Sequence, residues 1–495
     1  FMERFIFYKI LPVDSTIGFI EQILTNEYQL NRDLVSKSIR PLQRYVSHLK
    51  NNLYAVVEYP YVDKVSRDSY YFYFSSKRDE FHRDSIKISF FNRKITKGQF
   101  RSAKQSLRLS KRYLGFLVIR PTFPKIIGRS VINKSALNNN GFIYCYTHVP
   151  ASVNSIKFSA VGFPHSSQDS ETMTCAETTI WALMEYFGNK YPEYLPILPS
   201  KINKILSSFT VERLLPSKGL TAGQISYALK EIGFGVKLYS KNAYSGEFLD
   251  LLKIYVESGI PTVAVIQNKA GIAHAQNIIG RRKPIDDEID NIQPAIDIGL
   301  SSTLSYYESL KLDYVFIDDN QPPYMVTKLE TPSSFYNNTK WENCNITNII
   351  VPLYHKIYLE GGEARRFAVS IISRFNSRTQ FFTNENIIIR TFLASSRSYK
   401  DYIAKDKQVN PFIKNMFLST TMAKFIWVIE ISNKALLKNN FCSGMLVLDS
   451  TEPHTSRDEI IIGVIGNYYF SNNMFKIVKL NVPLQPLNCY SGNLN

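Results

Sequence analysis

The tetrapeptide Thr174-Cys175-Ala176-Glu177 constrains the fold more than any other stretch, because it fixes where a helix starts and which residue stands in its first turn. A Thr followed three residues later by Glu is a capping box, with Thr174 as N-cap, Glu177 at N3 and therefore Cys175 at N1. Downstream, Ala176, Ile180, Leu183, Met184 and Phe187 recur at helical intervals and predict one apolar face packed on a core, with Gly188 as the stop. In the first turn of such a helix, unpaired backbone N–H groups and the positive end of the macrodipole favour thiolate over thiol. A cysteine alone in that place is more often a small buried hydrophobe, so its reading depends on its partners.

Partners follow in order along the chain. The loop from Asn268 to Ala273 leads into a strand expected over His274 to Gly280, whose alternation sets His274, Gln276 and Ile278 on one face and Ala275, Asn277 and Ile279 on the other. A second strand, Tyr314 to Ile317, ends at Asp318-Asp319-Asn320 and runs into Gln321-Pro322-Pro323. Aspartates there would ordinarily be turn formers, but a carboxylate at a strand end also suits the orientation of a histidine on a neighbouring strand. Acyl transfer by a thiol needs a thiolate, a base, a group that orients the base, and donors for the oxyanion. The candidates are Cys175 as nucleophile, His274 as base, Asp318 as orienting group with Asp319 and Asn320 as alternatives, and Gln168 for the oxyanion. His165 is a weaker rival base.

On these residues the chain resembles the papain-like cysteine peptidase superfamily, and within it the bacterial C39-like peptidases. The resemblance covers about residues 160–330 and rests on Gln168 to Cys175, on Ala273-His274-Ala275, and on Tyr314-Val315-Phe316-Ile317-Asp318. It implies an α+β fold with a papain-like two-lobed thiol hydrolase core, flanked here by N-terminal and C-terminal α/β segments. It also implies a hydrolase cleaving peptide or isopeptide bonds in a peptide or protein substrate through Cys175, His274 and Asp318. Three departures stand out: the spacing from Gln168 to Cys175 is longer than in papain, no Trp follows the cysteine, and the insertion between His274 and Asp318 is long. Two other classes stay open: an acyl transferase of transglutaminase or phytochelatin-synthase type using the same residues, and a non-enzymatic polyanion-binding or sensor protein on the same scaffold.

Charge sets the N-terminal third apart. Residues 1–150 hold 25 Lys/Arg against 11 Asp/Glu, so +14 of the +17 net charge lies there, and no acidic residue occurs between Ser85 and Gln168. Arg101, Lys104, Arg108, Lys111 and Arg112 recur at helical spacing and predict one basic stripe, either a solvated face or a docking surface for nucleic acid, a nucleotide or an acidic partner. The five cysteines are scattered, with no CxxC pair. That pattern argues against a zinc site or a disulfide framework and for a reducing, cytoplasmic setting. No metal and no cofactor is expected. Walker A, GxGxxG, HExxH and GxSxG motifs are lacking, which removes the ATPase, Rossmann, zincin and serine hydrolase readings. No run of about 18 apolar residues predicts a membrane span.

Three domains are expected: a basic one over 1–150, a papain-like catalytic one over 151–330, and a mixed one over 331–495 packed on the core. Strands are predicted in the first at Leu53 to Glu58, Tyr70 to Phe74, Ile86 to Phe91 and Tyr113 to Ile119. In the last they are predicted at Ile387 to Ile389, Phe425 to Ile431, Met445 to Leu448, Ile460 to Ile465 and Phe475 to Leu480, with a helix over Ser396 to Ala404. The acid-rich stretch from Arg281 to about Asp313 reads as an irregular surface excursion.

Overall fold

The structure is a computed structural model, which describes residues 7–78, 81–101, 103–209, 215–216, 219–337, 339–452, 460–471, 476–481 and 486–494. Helix and strand are nearly balanced, at 35% and 32%, and among the described residues the sheets are antiparallel except for one strand pair. This is a mixed α and β chain.

The first sheet orders Phe7–Pro12, Tyr54–Tyr61, Ser85–Phe91, Tyr113–Ile119, Ile127–Ile132 and Pro164–His165. Its central strands are buried without alternation because both faces are covered. Ile20 and Leu24 of the helix Thr16–Asn26, with Ile39 and Leu42 of the helix Arg32–Ser47, pack on Val57, Ile86, Ile88 and Leu117. On the other face Val149, Val153, Phe158 and Ala160 of the hairpin Thr147–Val153 and Ile156–Gly162 meet Val56, Phe116, Val118 and Val131. One expected strand is a helix instead: Tyr70 and Tyr71 belong to the helix Lys64–Phe72, and Phe74 opens a 3-10 turn. There Asp63 accepts from the N–H groups of Val65 and Ser66, and this cap outweighs the β propensity of the aromatics.

The second sheet orders Phe234–Ser240, Asn345–Tyr354, Thr262–Gln267, Ala273–Arg282, Asp313–Ile317 and Met325–Lys328. Phe142–Tyr144 pairs with the far end of Ala273–Arg282. Strands from outside 151–330 therefore complete the sheet that carries His274 and Asp318.

The third sheet runs from Ile296–Gly299 and Ser302–Tyr306 through Asn386–Ser395, Phe425–Asn433, Gly444–Asp449, Ile460–Ile465 and Tyr468–Phe470 to Val478–Lys479. Its first two strands correct the expectation of an irregular excursion after Arg281. The acids Asp286, Asp287 and Glu288 occupy the first turn of the helix Asp286–Asp290, where the dipole favours them, and Ile298 and Leu304 bury a hairpin beside Asn386–Ser395. The predicted helix at Ser396 is present over Ser396–Lys405. Of the strand predicted from Phe475, Val478–Lys479 is formed, and Phe475 itself lies outside the described residues.

The helix Cys175–Lys190 passes between the first two sheets and is buried all round from Ala176 to Phe187, not on one face only. Gly188 does not stop it. A Cβ there would lie 2.2 Å from the backbone nitrogen of Pro196, so the glycine admits a close chain crossing. Glu185, on this helix and almost fully buried, meets Arg129 at 3.3 Å and Lys64 at 2.9 Å, and Arg129 also meets Asp63 at 3.1 Å. These pairs fasten the cysteine helix to the first sheet.

Candidate active site

Local chemistry fixes Cys175 first. Asp169 gathers the loop before the helix: one carboxylate oxygen accepts from the N–H groups of Glu171, Thr172 and Met173, and the other from the Thr172 hydroxyl. The capping box then closes, with Thr174 N–H donating to Glu177 at 3.2 Å, and Cys175 is the first helical residue as expected. Cys175 is partly exposed, whereas Cys145, Cys344, Cys442 and Cys489 are buried.

The helix is held against the histidine strand by two bonds: the Thr179 hydroxyl donates to Ala275 O at 3.4 Å, and the Asn277 amide donates to Thr179 O at 3.3 Å. Ala275 and Ile279 therefore face the helix, and His274 and Gln276 face the other way. Across the strand, Asn277 pairs with Ile317. Extending that register by one step sets Gln276 opposite Asp318 and brings His274 within diagonal reach of it. The side chains agree: Gln276 Nε2 donates to Asp318 Oδ2 at 2.5 Å, and His274 Nε2 lies 3.0 Å from the same oxygen.

Asp318 is a hub. Its second oxygen accepts from the Tyr336 hydroxyl at 2.7 Å and from the Asn320 N–H at 2.8 Å. Burial alone would raise its pKa, but the charge and hydrogen bond of His274, with these other donors, hold it below the usual carboxylate range. For His274 burial works against the charged ring, and the Asp318 carboxylate with its hydrogen bond, the nearby Cys175 thiol and the charge of Asp319 together push its pKa well above the ordinary value. With Nε2 held by Asp318, the buried Nδ1 has no hydrogen-bond partner among the described residues and is the nitrogen left for the thiol. Trp341 covers the imidazole at a centroid distance of 4.8 Å.

The alternatives fall differently. Asp319 lies 3.6 Å from His274 Nε2, is almost fully buried, and has no hydrogen-bond partner on either oxygen. Burial, and next to it the charge of Asp318, raise its pKa to about 7 against the attraction of His274. Asn320 turns the other way and accepts from Gln168 Nε2 at 2.7 Å. Gln168 is thus joined to the aspartate turn, and its amide is not free for an oxyanion while that bond persists. His165, the rival base, is fully buried: Nε2 lies 3.2 Å from Asp318 O and 3.0 Å from Gln321 O, and Nδ1 lies 3.2 Å from the Ser130 hydroxyl. Burial lowers its pKa to about 4, so it is a neutral strut that carries the Asp318 turn on the first sheet.

Gln276, Tyr336, Trp341 and Asp169 were not among the expected site residues. Gln276 was legible as sharing the His274 face, and Asp169 as a turn former ahead of a cap. Tyr336 and Trp341 lie in the irregular segment after Met325–Lys328, where no periodicity announces them.

Two side-chain groups among the described residues have metal-like spacing, His274 with Asp318 and Asp319, and Glu430 with Cys442 and Cys489. In the first, a cation would have to displace bonds that Asp318 already accepts. In the second, the Cys489 hydrogen bond and then burial push the Cys442 thiol well up, which opposes the thiolate that a metal requires.

The expected basic stripe is broken. Lys104 and Arg108 are exposed one turn apart on the helix Ala103–Ser110, but Lys111 and Arg112 lie past its end, and Arg101 belongs to a preceding 3-10 turn. The helix stops because Tyr113 begins a buried strand. Part of the acid-free stretch also points inward: Lys87 faces Glu58 at 4.0 Å, Arg129 pairs with Asp63 and Glu185, and the buried Arg120 donates to Lys125 O and Ser167 O.

Neither protein-family models nor curated proteins give a match to this chain. Among the described residues no helix is long and apolar enough to cross a membrane.

Proposed function

We propose that this chain is a papain-like cysteine hydrolase acting as a peptidase, with Cys175, His274 and Asp318 as its reacting group. The observation that carries the reading is the division of the imidazole: Nε2 is bonded to the Asp318 carboxylate, and the buried Nδ1 is left within the influence of the Cys175 thiol. Cys175 Sγ bonds to the substrate carbonyl carbon with its proton already held on His274, and His274 passes that proton to the departing amine as the C–N bond breaks. Water, deprotonated by the same imidazole, then attacks the thioester and releases Cys175. The oxyanion of each tetrahedral intermediate is received by the Cys175 backbone N–H, at the unpaired end of the helix, and by Gln168 once its amide exchanges Asn320 for the substrate.

The test is alkylation of the native chain with iodoacetamide or an E-64-type epoxide, followed by peptide mapping. Four of the five cysteines are buried, so a single labelled peptide containing Cys175 is expected, with labelling suppressed by His274→Ala. Label spread over several cysteines, or a Cys175 rate indifferent to His274→Ala, overturns the reading. Product analysis with water against added amines separates hydrolysis from acyl transfer.

A further inference from the structure

The strand that carries His274 at one end enters a second, unrelated site at the other. From His274 to Arg281 is roughly 23 Å along an extended chain, well clear of the thiol. At that far end lies a cleft of about 810 Å³, within the range of small-molecule sites, formed where Phe142–Tyr144, the end of the helix Phe248–Glu257, the turn after Lys434–Lys438 and the segment 490–494 converge.

Its floor is rigid and electrically balanced. Arg281 makes a two-pronged pair with Glu257 at 2.6 and 2.8 Å, and Arg390 lies 3.5 Å from Glu257 and 3.1 Å from Glu430. Arg390 also donates to Tyr490 O. Its rim is not balanced. Lys438 has a carboxylate in Asp290 at 2.7 Å, but Lys134 bonds only to the carbonyl of Phe142, and neither it nor Lys283 has a carboxylate within ion-pair distance among the described residues. The two lysines repel each other: burial, and next to it the charge of Lys283, lower the pKa of Lys134. Asp286 is the only other acid on the lining, exposed at the first turn of its helix. Phe142, Tyr307 and Tyr490 add aromatic carbon to the lining, each only 3–6% exposed.

We infer that this cleft binds a phosphate-bearing small molecule of nucleotide size, with the phosphates between Lys134 and Lys283 and the ring system against the aromatic wall. A polyphosphate supplies the charge that the rim lacks, and lysine is a point-charge binder of phosphate. The floor arginines are already held by Glu257 and Glu430, so no side chain there has to be ordered on binding. The basic helix Ala103–Ser110, by contrast, offers exposed charges without a cavity.

The experiment is isothermal titration of the full chain with ATP, and with inorganic tripolyphosphate as a probe of charge alone, in low salt. Saturable ATP binding tighter than that of tripolyphosphate is expected. Lys283→Glu, at an exposed position that leaves the fold intact, should weaken it by about tenfold or more, while Lys104→Glu with Arg108→Glu leaves it within about twofold. Absence of saturable ATP binding, equal binding of the two probes, or an affinity indifferent to Lys283→Glu overturns the inference. Because the readout is binding, it is independent of whether Cys175 reacts.

Discussion

Asp319→Asn should stabilise the chain, and by an amount that grows with pH. The carboxyl is 5% exposed, neither oxygen has a hydrogen-bond partner, and Asp318 lies next to it in sequence. Burial and that neighbouring charge raise its pKa from the ordinary 3.8 to about 7. The folded state therefore holds a proton that the unfolded state releases from about pH 4 upward, so this group lowers stability as pH rises from about 4 to 7 and by a constant amount above 7. A difference of roughly three pH units is worth on the order of 4 kcal/mol. Asparagine keeps the shape and cannot ionise, so the gain over wild type should be on the order of 1 kcal/mol at pH 4.5 and 4 kcal/mol at pH 8. Urea denaturation of both proteins at the two pH values measures it. An equal change at both pH values, or a loss at pH 8, refutes the argument that ionisation of a buried carboxyl without hydrogen bonds is the cause.

Three other perturbations probe the same frame. Asp318→Asn removes the charge that outweighs burial at His274, so the ring should become neutral near pH 7. Alkylation of Cys175 at pH 6.5 should fall on the order of 10²-fold, and an unchanged rate counts against the assignment. The same variant should lose the stability that the raised His274 pKa contributes, which is complete below the ordinary 6.5 and declines as pH rises through the folded value. Arg129→Met strands Asp63 and Glu185 without their common cation and should cost about 3–5 kcal/mol in urea denaturation, partly recovered by adding Glu185→Met. Tyr324→Phe leaves the buried Phe163 N–H and Ile132 carbonyl without the hydroxyl that meets both, a loss of about 1–3 kcal/mol by the same assay; a change under about 0.5 kcal/mol would falsify that account.

What the sequence disclosed was local. The Thr174 cap, the N1 place of Cys175, and the strands at His274 and Tyr314 are each set within a few residues by hydrogen bonds or alternation, and each stands where it was expected. Choosing Asp318 over Asp319 or Asn320 was beyond the sequence, because it turns on cross-strand register, which depends on side chains far apart in the chain. Tyr336 and Trp341 come from an irregular segment that carries no period. The basic stripe failed because helical spacing was carried past Ser110, where the buried strand at Tyr113 competes for the chain. The excess charge of the acid-free stretch overstates its surface, because Lys87 and Arg129 are buried against carboxylates that lie outside it.

His165 shows how far the first sheet takes part in the site, and it yields a prediction of opposite sign to that of Asp319. The imidazole is 1% exposed and bridges Ser130 on one side to the carbonyls of Asp318 and Gln321 on the other. Burial lowers its pKa from the ordinary 6.5 to about 4, so between those values the unfolded chain binds the proton that the folded one refuses. Stability from this group rises with pH across that window, by on the order of 3 kcal/mol. Over nearly the same range Asp319 takes away a similar amount, so the wild-type stability should be almost flat from pH 4 to 7 where these two groups are concerned. Asp319→Asn should unmask a rise with pH due to His165, and His165→Asn a fall due to Asp319. The second variant keeps a polar side chain but shortens the strut, so it should also loosen the Asp318 turn and slow Cys175 labelling. If urea midpoints of the two variants slope in the same direction with pH, the two groups do not titrate as their surroundings require, and the account of a buried, mutually compensating pair behind the His274 to Asp318 bond fails.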